Sequence, residues 1–287
     1  MIQIDYQLKK AADFEAQGKF LHAVQVYHTL IGEHQDNKLA YIRLATLYDR
    51  MNKLEASVNL LRKYIETISD DKDIRLFLGE IFLKNSRWDE AIEVLSAILV
   101  EEQPVVSFFL GFGFFMLKEY EFAKIHFTNF LASNANSEYH YETYIYLTKL
   151  SIETEAYEDA LNYVKLAEKM FASWETNQLS GVIFYNQGMF YHATVAFEKA
   201  IKQNEKELSL LEWAGKAYLK LGDFANARKY LLKFVESTDA NSEAYSFLAL
   251  ACMNLQKSDE ANNYFEIALN LDPKNEVALT GKKKCAK

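Results

Sequence analysis

An all-α array of about eight helical hairpins is the fold this sequence predicts, and three observations predict it. A small residue recurs at Ala23, Ser57, Ala91, Ala123, Ala160, Ala193, Ala227 and Ala261, with successive spacings of 34, 34, 32, 37, 33, 34 and 34 residues. A second small residue stands twelve positions before each of these, at Ala11, Ala45, Gly79, Gly111, Thr148, Gly181, Gly215 and Ala249. Only ten Gly and two Pro punctuate the 287 residues. That is too few for a β-sandwich or barrel, which needs turn residues every ~8–12 positions. Two small residues per period let two helices approach closely where they cross, so each period reads as a helical hairpin.

Taken in order, the units fall at 4–37, 38–71, 72–105, 104–137, 141–174, 174–207, 208–241 and 242–275, the overlaps marking shortened units. The fragments GKFLHAV, RWDEAI, EYEFAK, AYEDAL, MFYHAT, GDFANA and KSDEAN each supply a turn, often an aromatic, and the small residue that enters the second helix. The turn inside the hairpin carries Gly18, Asn52, Asn85, Gly188 and Gly222, residues that accept the left-handed conformation at a helix end. Near the end of the first helix stand Phe14, Tyr48, Phe82, Phe114, Phe184 and Tyr218, with Ser151 and Cys252 at the same place. Core positions of the second helices are Tyr27, Leu61, Leu95, Phe127, Val164, Phe197, Leu231 and Phe265.

Two steps are irregular. The spacing into Ala123 is two residues short and the next is three long. The extra residues fall around Ser137–His140, before an aromatic helix with Tyr139, Tyr141, Tyr144 and Tyr146. A bend between the fourth and fifth units and a simple change of loop length both fit this. After Pro273, residues 276–287 are in register for one more first helix, with Leu279 inward and Lys282, Lys283 and Lys284 outward. A polar closing helix keeps the last apolar face of an array from water, and lysines suit a helix C-terminus. A basic docking tail is the alternative.

With these eight in-phase copies, the chain resembles the tetratricopeptide repeat family, whose period is 34 residues and whose pattern is W-x2-L-G-x2-Y…A-x3-F…P. The resemblance implies a right-handed α-solenoid superhelix over 1–275 with 276–287 as a C-terminal capping helix, acting as a protein–protein interaction scaffold or adaptor. In that family the first helices line the concave side through the second, fifth, sixth, ninth, twelfth and thirteenth positions of each unit. Carried onto this chain, those positions include Ile42, Leu76, Phe108, Phe109, Phe112, Phe115, Met116, Ile145, Tyr146, Lys149, Gln178, Tyr185, Asn186, Glu212, Trp213, Lys216, Phe247, Leu250 and Met253. The family's two-carboxylate clamp for chaperone tails is not assembled. Its places hold Leu8, Ala12, Arg43, Asp73 and Phe77.

The stretch Pro104–Leu117, PVVSFFLGFGFFML, contains five phenylalanines and no charge. A helix apolar all round expects partners on every side, and the stripe Phe108–Phe112–Phe115 is read as surplus to the core and facing the groove. Contiguous exposed apolar surface usually marks a partner site. The expected contact set is Phe108, Phe109, Phe112, Phe115, Met116, Ile145, Tyr146, Lys149, Tyr185, Asn186 and Lys216, holding an apolar or aromatic segment or helix of a partner. Cover of the stripe by neighbouring helices is the competing reading, and self-association through the same patch, giving a homo-oligomer, is the alternative function. Lys149 and Lys216 are candidates to meet an acidic group on the ligand, against simple solvation. Trp88, Trp174 and Trp213 are read as packing.

Composition excludes several other classes. A net charge of −8 opposes nonspecific nucleic-acid binding, which needs a basic footprint. The apolar run of 14 residues falls short of the ~20 a membrane span requires. Cys252 and Cys285 make no disulfide framework and suit either a reducing, cytoplasmic compartment or thiols with no role, and no secretory h-region is visible at the start. The six histidines are scattered, no HExxH or CxxC occurs, and the GFG lies inside a helix rather than in a phosphate loop. No catalytic residue, cofactor or metal is therefore expected.

Overall fold

The computed structural model describes residues 2–133, 138–238 and 240–285. Ser137, in the segment expected to absorb the long step, lies outside them. The described residues form seventeen helices and no strand, an all-α helical repeat solenoid, and divide into two compact units, Met1–Tyr139 and His140–Lys287.

The first unit contains α1 (Ile2–Ala16), α2 (Phe20–Glu33), α3 (Lys38–Arg50), α4 (Leu54–Thr67), α5 (Lys72–Lys84), α6 (Trp88–Ser96), α7 (Val105–Met116) and α8 (Tyr120–Ala132). The second contains α9 (His140–Glu153), α10 (Tyr157–Met170), α11 (Trp174–Asn186), α12 (Phe190–Gln203), α13 (Ser209–Leu221), α14 (Phe224–Ser237), α15 (Ser242–Asn254), α16 (Ser258–Leu271) and α17 (Glu276–Cys285). Within each unit every helix packs on the next in the chain, and from α3 on each odd-numbered helix also touches the next odd-numbered one. No helix of the described residues is long and apolar enough to cross a membrane.

Small residues set the hairpin crossing. All eight recurrent entries to the second helices, from Ala23 to Ala261, are fully buried. Where the first helix offers glycine, a Cβ would overlap the large residue opposite: 2.5 Å from Leu95 at Gly79, 2.7 Å from Phe127 at Gly111, 2.6 Å from Phe197 at Gly181 and 2.5 Å from Leu231 at Gly215. Ser57, the one polar member of the small series, is satisfied across the crossing, its hydroxyl donating to the Ala45 carbonyl at 3.0 Å.

Each hairpin turn is closed by one left-handed residue: Gly18, Asn52, Ser86, Lys118, Glu155, Gly188, Gly222 and Gln256. Every one stands five residues before the small residue that follows it. In every turn the next residue's N–H reaches the carbonyl five positions back, as Lys19 to Phe14 at 2.9 Å and Lys257 to Cys252 at 3.0 Å. This is the Schellman closure, and it explains why Ser151 and Cys252 serve where aromatics stand elsewhere: the backbone carbonyl makes the bond. Asn85, expected to be the left-handed residue, has φ −99, and Ser86 takes the role at φ 59. Counting back five from Ala91 identifies Ser86, so periodicity outranks the residue preference of asparagine.

Helix starts are capped locally. Asp71 accepts from the N–H groups of Asp73 and Ile74, and Ser173 and Thr176 form a reciprocal capping box. The closing helix α17 departs from expectation. Its inward face is Ala278 and Gly281, both buried, whereas Leu279 is 40% exposed. The cause is contact with Phe265, which lies 2.1 Å from a Cβ placed at Gly281, so the helix turns its smallest residues inward. Lys282 points out and pairs with Glu266 at 2.9 Å.

Candidate functional site: the first-helix faces

In the first unit, α7 sorts its phenylalanines into two groups. Phe108 is 6% exposed, with its ring 6.0 Å from Phe127, 5.8 Å from Phe130 and 4.6 Å from a stacked Tyr139. The expectation that Phe108 is surplus to the core is therefore wrong. Gly111, one turn on, brings α7 against Phe127, and a residue three positions before that contact lies on the same closing face. Phe109 is likewise buried and packs on Phe108 and Tyr139. Phe112 and Phe115 remain half-buried, Phe112 edge-on to Trp88 at 5.7 Å and Phe115 6.0 Å from Tyr120. Met116 is exposed. Phe114 turns to α8, where it stacks between Phe122 and His126, and burial lowers the His126 pKa.

In the second unit, Ile145 is buried in a cluster with Ala160, Val164, Leu179 and Ile183, so it belongs to the core and not to a contact surface. Tyr146 is half-buried, and burial raises its pKa, with Glu175 and Glu142 adding to the shift. Lys149 sits 5.6 Å from the Tyr146 ring and 2.8 Å from Glu175. Asn186 is exposed at the end of α11.

A longer arrangement crosses α11, α13 and α15. Tyr185 stands edge-on to Trp213 at 5.6 Å. Lys216 lies 5.6 Å from the Trp213 ring and 5.1 Å from the Phe247 ring. Its ammonium pairs with Glu212 at 2.8 Å and Glu243 at 3.5 Å, and its side chain is only 16% exposed. The result is a ladder of three half-buried rings with one internally neutralised cation. Both lysines read as candidates for an acidic ligand are thus engaged by glutamates of the chain itself. Trp213 and Phe247 were outside the expected contact set. The signal that finds them is register, since both occupy the sixth place of their units.

Behind this face, Tyr218 and Tyr230 stack at 5.6 Å and both donate to Glu198, at 2.7 and 3.0 Å. Burial, then the bond to Glu198, pushes the Tyr230 hydroxyl up to about 12. Among the described residues no group of three His, Cys, Asp or Glu is placed to hold a metal ion.

Comparison with known proteins places this architecture. The model of the tetratricopeptide repeat matches residues 42–105 and 214–276. DnaJ homolog subfamily C member 3 of Gallus gallus is 32% identical over 97 residues, which cover 34% of this chain and 19% of that protein. The chain thus aligns with about a fifth of the length of the curated relatives it matches. The crystal structure of the APC/C hetero-tetramer Cut9-Hcn1 matches at TM-score 0.62 and 16% identity, over 99% of this chain and 56% of that one. PilW, a type IV pilus biogenesis factor, matches at TM-score 0.61 and 15% identity, over 73% of this chain and 97% of that one. At such identities the two structures speak for the fold alone. The same closed hairpin recurs between the two matched segments, so residues 42–105 and 214–276 are tetratricopeptide repeats within an array of one recurring hairpin.

Proposed function

We propose that this repeat scaffold for protein–protein interaction holds an apolar or aromatic segment of a partner against its first-helix faces. The observation that carries the reading is the ladder Tyr185–Trp213–Lys216–Phe247, a strip over three consecutive hairpins in which Tyr185 meets Trp213 and the Lys216 ammonium links Trp213 to Phe247. Rings held by neighbours lose little conformational freedom when a ligand lands on them, and aromatic side chains dominate interface energetics. The cation between them already has counterions, so a segment laid across it need not bring an acid. Phe112, Phe115 and Met116 form the corresponding surface of the first unit and are proposed as a separate contact patch. The cytoplasmic setting belongs to the same proposal and rests on the two free thiols, Cys252 and Cys285.

The test uses an array of immobilised 15-residue peptides with apolar and aromatic centres, probed with the full chain. The variant Tyr185→Ser/Phe247→Ser is expected to lose most of the signal while its circular dichroism stays that of the parent. Phe112→Asp/Phe115→Asp reports the first-unit patch in the same way. If both pairs bind the array as the parent does, the reading is wrong. Sedimentation velocity on the same samples checks the alternative. An oligomer that dissociates in either double variant places self-association, not peptide capture, on these faces.

A further inference from the structure

The ninth position of the first helix carries a charge at Lys149, Lys216 and Glu80, and comparing the three places isolates what Glu80 lacks. Around Lys216 stand Trp213, three residues before it, and Phe247 and Glu243 from the following first helix. Around Lys149 stand Tyr146 and, from the following first helix, Glu175. In both cases the second position of the next unit supplies the counterion. At Glu80 the same register gives Phe77 on its own helix α5, and Phe109 and Val105 on α7. Where the other two places pair a lysine with a glutamate at the second position of the next unit, here that position holds valine.

The Glu80 side chain has no hydrogen bond or ion pair among the described residues. The nearest basic side chain along α5, Lys84, is committed to Asp49. Leu83, on the turn after Glu80, abuts Gly113 of α7, so this side of α5 faces the Phe-rich helix. Burial raises the Glu80 pKa, while the other carboxylates with a resolved shift are lowered by basic or hydrogen-bonding neighbours. A half-buried carboxylate beside apolar walls is costly unless a cation completes it. A cation over a ring face gains from its quadrupole as well.

We infer that the first-helix face of the first unit binds a lysine or arginine side chain of a partner segment, with Glu80 as counterion and half-buried Phe77, one turn back on the same helix face, as the flanking ring. This deepens the peptide-binding reading above and rests on it. It makes the first unit selective for a basic residue set among apolar ones, whereas the second unit's ladder already holds a cation of its own, Lys216.

The peptide array decides it when each apolar centre is offered with lysine, arginine, glutamine or glutamate at one fixed place. The parent chain is expected to retain lysine and arginine peptides about tenfold more strongly than glutamine ones, the scale of one charge-assisted hydrogen bond. Glu80→Gln is expected to remove that preference, and Glu80→Lys to transfer it to glutamate peptides. Equal retention of all four by the parent, or a preference that survives Glu80→Gln, overturns the inference while leaving peptide capture intact. Loss of every signal overturns peptide capture instead. A second measurement then still decides the cation site. The Glu80 carboxyl, followed by NMR, should ionise at lower pH with butylammonium chloride than with sodium chloride at equal ionic strength, and coincident titrations would refute the site.

Discussion

Lys216→Met tests the physical basis of the second unit's ladder. Methionine keeps an unbranched stem for the rings to pack on, so the change mainly removes charge. Two ion pairs, at 2.8 and 3.5 Å, and two ring contacts, at 5.6 and 5.1 Å, are lost together. Exposed pairs contribute about 0.2–1 kcal/mol, whereas removing one partner of a fully buried pair costs about 3–5 kcal/mol. Lys216 and Glu212 lie between these limits, with side chains 16% and 19% exposed, while Glu243 at 56% is the weaker partner. A cost of about 2 kcal/mol follows, part of it from leaving Glu212 half-buried without its cation. In a chain of this size that lowers Tm by roughly 4–8 °C.

Urea unfolding followed by circular dichroism reads the cost, and hydrogen exchange locates it. Because hairpins stabilise mainly their neighbours, protection should fall in α13 and α15 and stay unchanged in α1 to α4. Adding Glu212→Gln should recover about 1 kcal/mol of the loss, the coupling expected of residues in contact. If Lys216→Met costs under about 0.5 kcal/mol, the scale of an ordinary surface change, and shows no coupling to Glu212, then solvent already screens the charges and the ladder is not a preorganised unit.

Other outcomes follow from the same geometry. Lys118→Gly and Gln256→Gly should each stabilise by about 0.5–1 kcal/mol, since a left-handed residue with a Cβ costs about 1–2 kcal/mol and glycine returns part of that gain as chain entropy. Both have positive φ, 63 and 61, and thermal melts check them. Gly111→Ala should destabilise by about 1–2 kcal/mol, because overlap with the Phe127 ring outweighs the helix propensity gained. Gly32→Ala, with nothing within 4 Å, should stabilise by up to about 1 kcal/mol. Paired denaturation curves that failed to show opposite signs would contradict the crossing geometry. For Glu80, the folded-state pKa lies above the ordinary 4.5, so the folded chain binds the proton more tightly than the unfolded one. The penalty for its charge is absent below 4.5 and complete once pH has passed the folded value. Glu80→Gln should therefore raise Tm at pH 7, with the gain vanishing as pH falls to about 4.5 in parallel melts.

The repeat, its phase and its hairpins were legible in the sequence because packing geometry imposes them directly. Two helices can cross closely only over small residues, so Ala23 to Ala261 mark every crossing and the left-handed closures fall five residues before each. The same periodicity names Ser86 over Asn85. The large residues opposite the glycines, Leu95, Phe127, Phe197 and Leu231, were identifiable as core for the same reason.

Only tertiary structure decided which side of an all-apolar helix meets its neighbours. In α7 periodicity offers two equally greasy stripes, and the contact of Gly111 with Phe127 draws Phe108 inward while leaving Phe112 and Phe115 half-covered. Ile145 fell to the core in the same way, through Val164 and Ile183. Charge partners were equally hidden, because Lys216 with Glu243 and Lys149 with Glu175 join residues 27 and 26 positions apart. No local pattern shows that the Glu80 side chain is left without a partner among the described residues until the first helices are set side by side.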